Sequence, residues 1–448
     1  MSDLSTMPQT QSFSGARTEP SYKWWVVVML WFVCFFNYAD RQSITALFPL
    51  LQKEFGFDDL QLGWIVPAFA WVYAGFSLPA GLVVDRLSRK NVILCACIVW
   101  SAFTLGTAFC GGFAAFIVVR ALTGLGETFY FPASLSLLSD YHSRNTRSRA
   151  LSWHQSAVYA GTILGSWISA RLAESLGWRM PFYLFGPIGI VLAVILFAYL
   201  REPRRGAADA ADSEAMAAHA PGAASLPVKE TLLIIFRTPV VLLLMLAFVA
   251  ANFVAVIFLT WTPTFLVKKF GFSLSAAGLN GTIYIHLASA LAVPAAGFLA
   301  DRMSRRFPGG RMAVQAIGLV VGALFVFLVG RTSTVTTLIL SMTLFGICKG
   351  FYDSGIFASV YDAVEPRARG TVAGLMNTVG WGGGALGPLF VGLVTKFGHK
   401  PTPVENMSDA IAFCGLIYLV AAALVLLAIY LFSKPSSAPL SLRATTRS

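Results

Sequence analysis

Apolar runs of about twenty residues recur along the whole chain, and each is long enough to cross roughly 30 Å of hydrocarbon as a helix. Nothing else in these 448 residues limits the fold as strongly. Backbone groups in lipid must be satisfied within their own segment, so each run is expected to be helical. The alternating pattern of a membrane β-barrel is absent. Composition agrees: 56% of residues are apolar and 12% charged, against about 25% charged in soluble domains. The sequence therefore predicts an all-α integral membrane protein.

Apolar runs bounded by charge or turn residues place twelve spans at 24–47, 61–84, 92–110, 113–138, 150–172, 181–200, 239–266, 277–300, 312–330, 334–361, 370–395 and 409–432. Six lie on either side of 201–237, a connector with an Ala/Gly/Pro-rich stretch that reads as a flexible linker. The expected organisation is a tail over 1–22, a six-helix bundle over 23–200, the linker, a second bundle over 238–432 and a tail over 433–448. The polar first segment has no apolar core of a cleaved signal, so none is expected.

The net charge of +12 suggests nucleic acid until its placement is considered. Arg41, Arg120 and Lys349 fall inside spans. Lys53, Arg171, Arg179, Lys268, Lys269, Arg331, Lys396 and Lys400 fall in loops on one side, and the larger remainder lies on the side of the termini. The positive-inside rule makes that side cytoplasmic, with both termini there, and no nucleic-acid partner is implied. The six cysteines sit inside or at the ends of spans, and Cys95-x-Cys97 lacks a companion pair, so neither a metal nor another cofactor is expected.

The halves repeat. Gly81-Leu-Val-Val-Asp85-Arg86-Leu-Ser-Arg89-Lys90 follows span 2, and Gly297-Phe-Leu-Ala-Asp301-Arg302-Met-Ser-Arg305-Arg306 follows span 8. Arg147-Ser-Arg149-Ala and Arg367-Ala-Arg369-Gly rhyme in the next loop on that side. The aspartates can cap a neighbouring helix and pair with arginines across the halves, and Gly81 and Gly297 allow close helix approach. These paired loops, the six-plus-six topology and the linker resemble the major facilitator superfamily. The resemblance implies two pseudo-symmetric six-helix bundles with substrate bound between them near the midplane. It also makes Gly81, Asp85, Arg86, Arg89, Gly297, Asp301, Arg302 and Arg305 a cytoplasmic gate that latches the outward-facing state.

Ionisable residues inside spans are costly and point to function. Asp40 and Arg41 lie in span 1, Arg120 and Glu127 in span 4, and Lys349 and Asp353 one turn apart in span 10. At about 1.5 Å per residue, the sequence places Asp40 and Arg120 in the outer half of the membrane. Desolvation favours the protonated form of a carboxyl, and a nearby arginine favours the charged form. An anion that takes Arg41 or Arg120 would remove that support and couple a proton to itself. Asp40 and Glu127 are thus expected to carry the proton, with Arg120 switching between Glu127 and substrate. Static ion pairing is the alternative, weightiest for Lys349 and Asp353. His286 is a candidate relay or substrate contact; Tyr159, Asn377, Asn252 and Gln155 could bind hydroxyls or join helices. Pro132, Pro263 and Pro294 are candidate kinks, and the glycines of span 11 with Pro388 allow bending or close packing.

Asn37-Tyr38-x-Asp40-Arg41, Gly126-Glu127-Thr-Phe-Tyr-Phe-Pro132, Gly177-Trp178-Arg179 and Leu259-Thr-Trp261-Thr-Pro263-Thr-Phe265-Leu266 resemble the anion:cation symporter branch of that superfamily. This resemblance implies proton acids at Asp40 and Glu127, substrate-contacting cations at Arg41 and Arg120, and further contacts at Tyr159 and Asn377. Two departures are a Thr after Glu127 where the branch has Ala, and the Lys349/Asp353 pair. The expectation is a proton-coupled carrier of a small organic anion, such as an aldonate or hexuronate, acting as a monomer in a bacterial inner membrane. Spinster-like transporters of lysolipids share Asn-Tyr-x-Asp-Arg and are the nearest rival; a non-transporting nutrient sensor is a third reading. No nucleophile–base pair or phosphate loop suggests an enzyme.

Overall fold

Short polar caps set where the spans begin. Asp58 accepts from Gln61 N while Gln61 reaches back to Asp58 N, a reciprocal box that starts span 2. Ser88, Ser273, Thr334 and Thr402 cap spans 3, 8, 10 and 12 more simply, each side chain accepting from the backbone N three residues on. The computed structural model describes residues 21–205, 208, 228–365 and 368–433. The polar tails, most of the linker and Arg367 lie outside the described residues.

Among the described residues, every expected span is found as helix. Span 1 is Tyr22–Ala46 continued by Phe48–Phe55, span 2 Asp59–Arg86, span 3 Arg89–Thr107, and span 4 Phe113–Thr128 with Tyr130–Tyr141. Spans 5 and 6 are Arg144–Leu176 and Met180–Tyr199. Spans 7, 8 and 9 are Pro239–Phe270, Leu274–Ser304 and Gly310–Arg331. Span 10 joins Val335–Asp353 to Ile356–Ala363, span 11 joins Arg369–Gly384 to Leu386–Phe397, and span 12 is Pro403–Phe432. A further short helix, Val228–Arg237, precedes span 7. Eleven of these are long and apolar enough to cross a membrane. Span 5 is long but less apolar, because its first three turns carry Arg147, Arg149, His154 and Gln155.

Two of the helix breaks follow proline. Spans 4 and 11 break at Phe129 and Ala385, each three residues before a proline, Pro132 and Pro388. A proline removes one hydrogen bond and its ring presses on the carbonyl four residues back. Pro263 and Pro294 instead sit inside helices that run on unbroken. Span 1 runs further than its apolar pattern showed, to Phe55, so Asp40 lies close to the midpoint of the span rather than in its outer half. Glu127 lies at the midpoint of span 4.

The halves meet along spans 2 and 11 and along spans 5 and 8, two contacts that are images of each other under the repeat, with spans 1 and 7 touching between them. The bonds joining them gather at the ends remote from the signature loops. Lys268 Nζ pairs with Asp59 at 2.7 Å and Lys396 Nζ with Asp58 at 2.7 Å. Gln42 donates to Leu259 O, and Ser275 N donates to Glu174. There the backbones nearly touch: a Cβ on Gly63 would stand 2.8 Å from Pro388 O, and one on Gly392 2.6 Å from Asp59 O. One apolar cluster runs through both halves at this end, from Phe48, Leu62 and Trp178 to Trp261 and Phe265. The part of the first half nearer the signature loops packs as a separate cluster around Val33, Trp100 and Tyr130. The bundle is sealed on one side and parted on the other.

The signature loops lie on the parted side and are disengaged. A Cβ at Gly81 or Gly297 would meet nothing within 4 Å, so the close approach expected there is absent from this arrangement. Asp85 is exposed, and the cap of span 3 is Ser88, not the aspartate, because Asp85 still belongs to the last turn of span 2. Arg89 turns into its own half, paired with Asp140 and with Glu202 at 2.9 Å and donating to Pro203 O. Asp301 pairs with Arg311, which also holds Asp362, while Arg302 and Arg305 are exposed. The two copies of the motif are therefore wired differently.

Asp58→Asn/Asp59→Asn removes the two ion pairs that join the halves on the sealed side. Each is worth up to about 1 kcal/mol, so spin labels on spans 2 and 11 at that end should report a several-fold gain in the separated population.

Candidate functional site

Span 1 delivers four functional groups on little more than one turn. Asn37 and Arg41 are one turn apart on a common face, and Asp40 turns toward span 3, where it accepts from Thr104 Oγ1. Small residues make this placement possible: a Cβ on Gly165 of span 5 would stand 2.3 Å from Ala39 Cα. Spans 1 and 5 can therefore pack at near backbone contact beside the charged stretch.

Arg41 meets Glu127 of span 4. Its Nη2 and Nε donate to Glu127 Oε2 at 2.5 and 3.0 Å, with the arginine side chain 11% exposed and the glutamate fully buried. Four rings surround the guanidinium, from Tyr38, Phe69, Tyr73 and Trp381, with centroids 4.7, 4.7, 5.0 and 5.3 Å from Cζ. Desolvated contacts of this kind are each worth about 0.5–2 kcal/mol. Trp381 comes from span 11, so the cage closes across the interface of the halves, and Trp71 Nε1 donates to Gly382 O beside it at 3.0 Å.

Arg120 also meets Phe69, its Cζ 4.9 Å from the same ring, within electrostatic reach of Asp40 and Glu127 but paired with neither. In this conformation Arg120 therefore stands off the glutamate. Seven residues along one helix are about 10.5 Å of rise, and it is Arg41 that holds the glutamate here. Arg41 Nη1, Arg120 Nε, Asn37 Nδ2 and Glu127 Oε1 are buried without a hydrogen-bond partner among the described residues. Buried polar atoms are rarely left so, and these are the groups that could hold a carboxylate and its neighbouring hydroxyls.

A second cluster lies between spans 5, 8 and 10. Lys349 Nζ pairs with Asp353, with side chains 21% and 31% exposed. Tyr159 is within electrostatic reach of both, and its ring is 6.4 Å from that of His286. His286 Nδ1 donates to Thr282 O at 2.8 Å, which leaves Nε2 as the free nitrogen. Asn377 is exposed, Asn252 donates to Phe248 O of its own helix, and Gln155 is exposed. His154 is a packing residue, with Nε2 3.0 Å from Tyr130 Oη. Gly380, Gly383, Gly384 and Gly387 let span 11 lie against Phe248, Val249, Asn252 and Phe253 of span 7.

The ring cage was not legible as such. Tyr38 was visible only as part of a motif, and Trp381 only as an interruption in a glycine run. Phe69, Tyr73 and Thr104 are ordinary span residues until the fold sets them beside Arg41 and Asp40.

Twelve helices in two bundles, sealed at one end and holding a caged ion pair midway, define a membrane transporter. The chain belongs to the Major Facilitator Superfamily, whose profile matches residues 30–388 and 268–447. It is 25% identical over 443 residues to the probable galactarate/D-glucarate transporter GudP of Escherichia coli strain K12, covering 93% of this chain and 95% of that one. It is 26% identical over 375 residues to the hexuronate transporter of Bacillus subtilis strain 168, covering 82% and 87%. The fold is similar to the crystal structure of a bacterial homologue of the human lysosomal transporter Spinster in an inward-facing, unoccupied conformation, with a TM-score of 0.79 at 21% identity over 93% of this chain and 98% of that one. The protein is thus a multi-pass integral membrane transporter and not an enzyme.

Arg41→Lys should abolish most transport without unfolding the protein, because an ammonium lacks the planar fork that fits both the rings and the carboxylate. Uptake into proteoliposomes should fall at least about tenfold, the equivalent of one lost charged hydrogen bond, while the purified protein elutes as wild type on size exclusion.

Proposed function

We propose that the protein is a proton-coupled symporter of a small organic anion, a sugar acid such as an aldonate or hexuronate, working by alternating access in a bacterial inner membrane. The observation that carries this reading is the buried Arg41–Glu127 pair, with Arg120 standing unpaired beside it. The names of the two relatives favour sugar acids. With both termini in the cytoplasm, the sealed side is the outside and the site opens inward.

The cycle follows from charge. A substrate carboxylate drawn to Arg120 competes for the donors of Arg41. Glu127 then loses its partner in a fully buried place, where an uncompensated charge costs several kcal/mol, and a proton removes that cost. Asp40, with Thr104 as its only bonded partner among the described residues, is the second acid on the route. Substrate and proton thus bind together and leave together. Tyr159, His286 and Asn377 face the hydroxyls, and the signature loops close the cytoplasmic side when the outer ion pairs part. An amphiphile carrier fits less well, because the groups between the halves are charged and caged by rings.

The test is transport by the reconstituted protein. External D-gluconate or D-glucuronate should alkalinise the outer medium as it enters, and a protonophore should abolish accumulation. Glu127→Gln, which imitates the protonated side chain, should retain exchange of internal for external substrate yet lose accumulation against a gradient. Accumulation that survives collapse of the proton gradient would contradict the proposal.

A further inference from the structure

The Lys349–Asp353 ion pair has no part in the cycle above, and its cost calls for an explanation. A charged side chain at the centre of a membrane helix costs about 2.5–3.5 kcal/mol, whereas a pair one turn apart on a helix returns only about 0.2–0.5 kcal/mol. Packing alone would be better served by two apolar residues. The pair does not face lipid. Lys349 and Asp353 share the side of span 10 on which Gly346 and Gly350 press against Ile285, Ser289 and Ala292 of span 8, well away from lipid-exposed Leu340 and Ile347. Their partial exposure therefore opens toward the space between the halves, where Tyr159 of span 5 and His286 of span 8 also stand.

The cluster is also level with the first site. Tyr159 lies two residues before Gly161, whose Cβ would stand 3.0 Å from Tyr38 Cβ, and the Tyr38 ring stacks on Arg41. Each half thus presents one cation held by one carboxylate to the same interface, Arg41 with Glu127 and Lys349 with Asp353.

We propose that Lys349 is the binding site for a second carboxylate, and that the substrate is a short polyhydroxy dicarboxylate whose two ends engage Arg41/Arg120 and Lys349. This rests on the sugar-acid reading and narrows it. One carboxylate displaces Glu127 and the other displaces Asp353, while Tyr159 Oη and His286 Nε2 lie beside the second end to bond its oxygens or the adjacent hydroxyl. Partial exposure keeps the desolvation of the third charge at Lys349 small. A dicarboxylate thus places a charged bond on each half.

The experiment compares binding of D-glucarate and D-gluconate, a matched diacid and monoacid, to the purified full-length protein by competition against radiolabelled ligand. Wild type should bind D-glucarate about tenfold more tightly, the equivalent of one charged hydrogen bond. Lys349→Gln/Asp353→Asn keeps net charge and should bring the ratio to about one. Lys349→Arg should preserve the preference. A wild-type ratio of one, or a preference that survives the double variant, overturns this inference while leaving sugar-acid transport standing. Failure to bind either acid overturns both.

Discussion

A guanidinium and a carboxylate buried together between two helix bundles hold this structure to its purpose. Arg41 and Glu127 come from spans 1 and 4 of the same half, but the rings that enclose them come from both halves. Removing either partner would strand a charge where lipid and protein exclude water. The pair persists because the cage, the two donors of Arg41 and the close packing of span 5 on span 1 offset the cost of burying it. Arg120 shares the Phe69 ring with Arg41, and with Asp40 it completes a set of two cations and two carboxyls.

The same cage links the site to the state of the bundle. From Trp381 toward the sealed end, spans 2 and 11 meet at Trp71–Gly382, Gly63–Pro388 and Asp58–Lys396. Parting that seam would carry Trp381 off Arg41, so the site cannot keep its geometry while the sealed side opens. On the opposite side the signature loops keep to their own halves, Arg89 on Glu202 in the first and Asp301 on Arg311 in the second.

Much of this was written in the chain. Twelve apolar runs, the linker and the paired Gly-x-x-x-Asp-Arg loops gave the architecture, because lipid permits a buried helix and little else. The in-span charges named the candidate site, because lipid makes each one expensive. What failed was spatial. Span 1 continues past Leu47 because Pro49 opens a new helix rather than ending one, which moved Asp40 to the middle. Arg120 and Glu127 share a helix face, and it is Arg41 that holds the glutamate here. The rings of Phe69, Tyr73 and Trp381 carried no signal, since aromatic residues are common on any span and only tertiary packing brings three helices around one guanidinium. The signature aspartates likewise make no bond across the halves: Asp85 is exposed and Asp301 pairs with Arg311 of its own half.

The central claim is that substrate takes Arg41 from Glu127 and a proton takes its place. Difference infrared spectroscopy of the reconstituted protein, with D-glucuronate added at constant pH, reads this directly. The account predicts a protonated carboxyl band that appears on binding and is missing in Glu127→Gln. A Glu127 carboxylate that stays ionised in the substrate complex would contradict it.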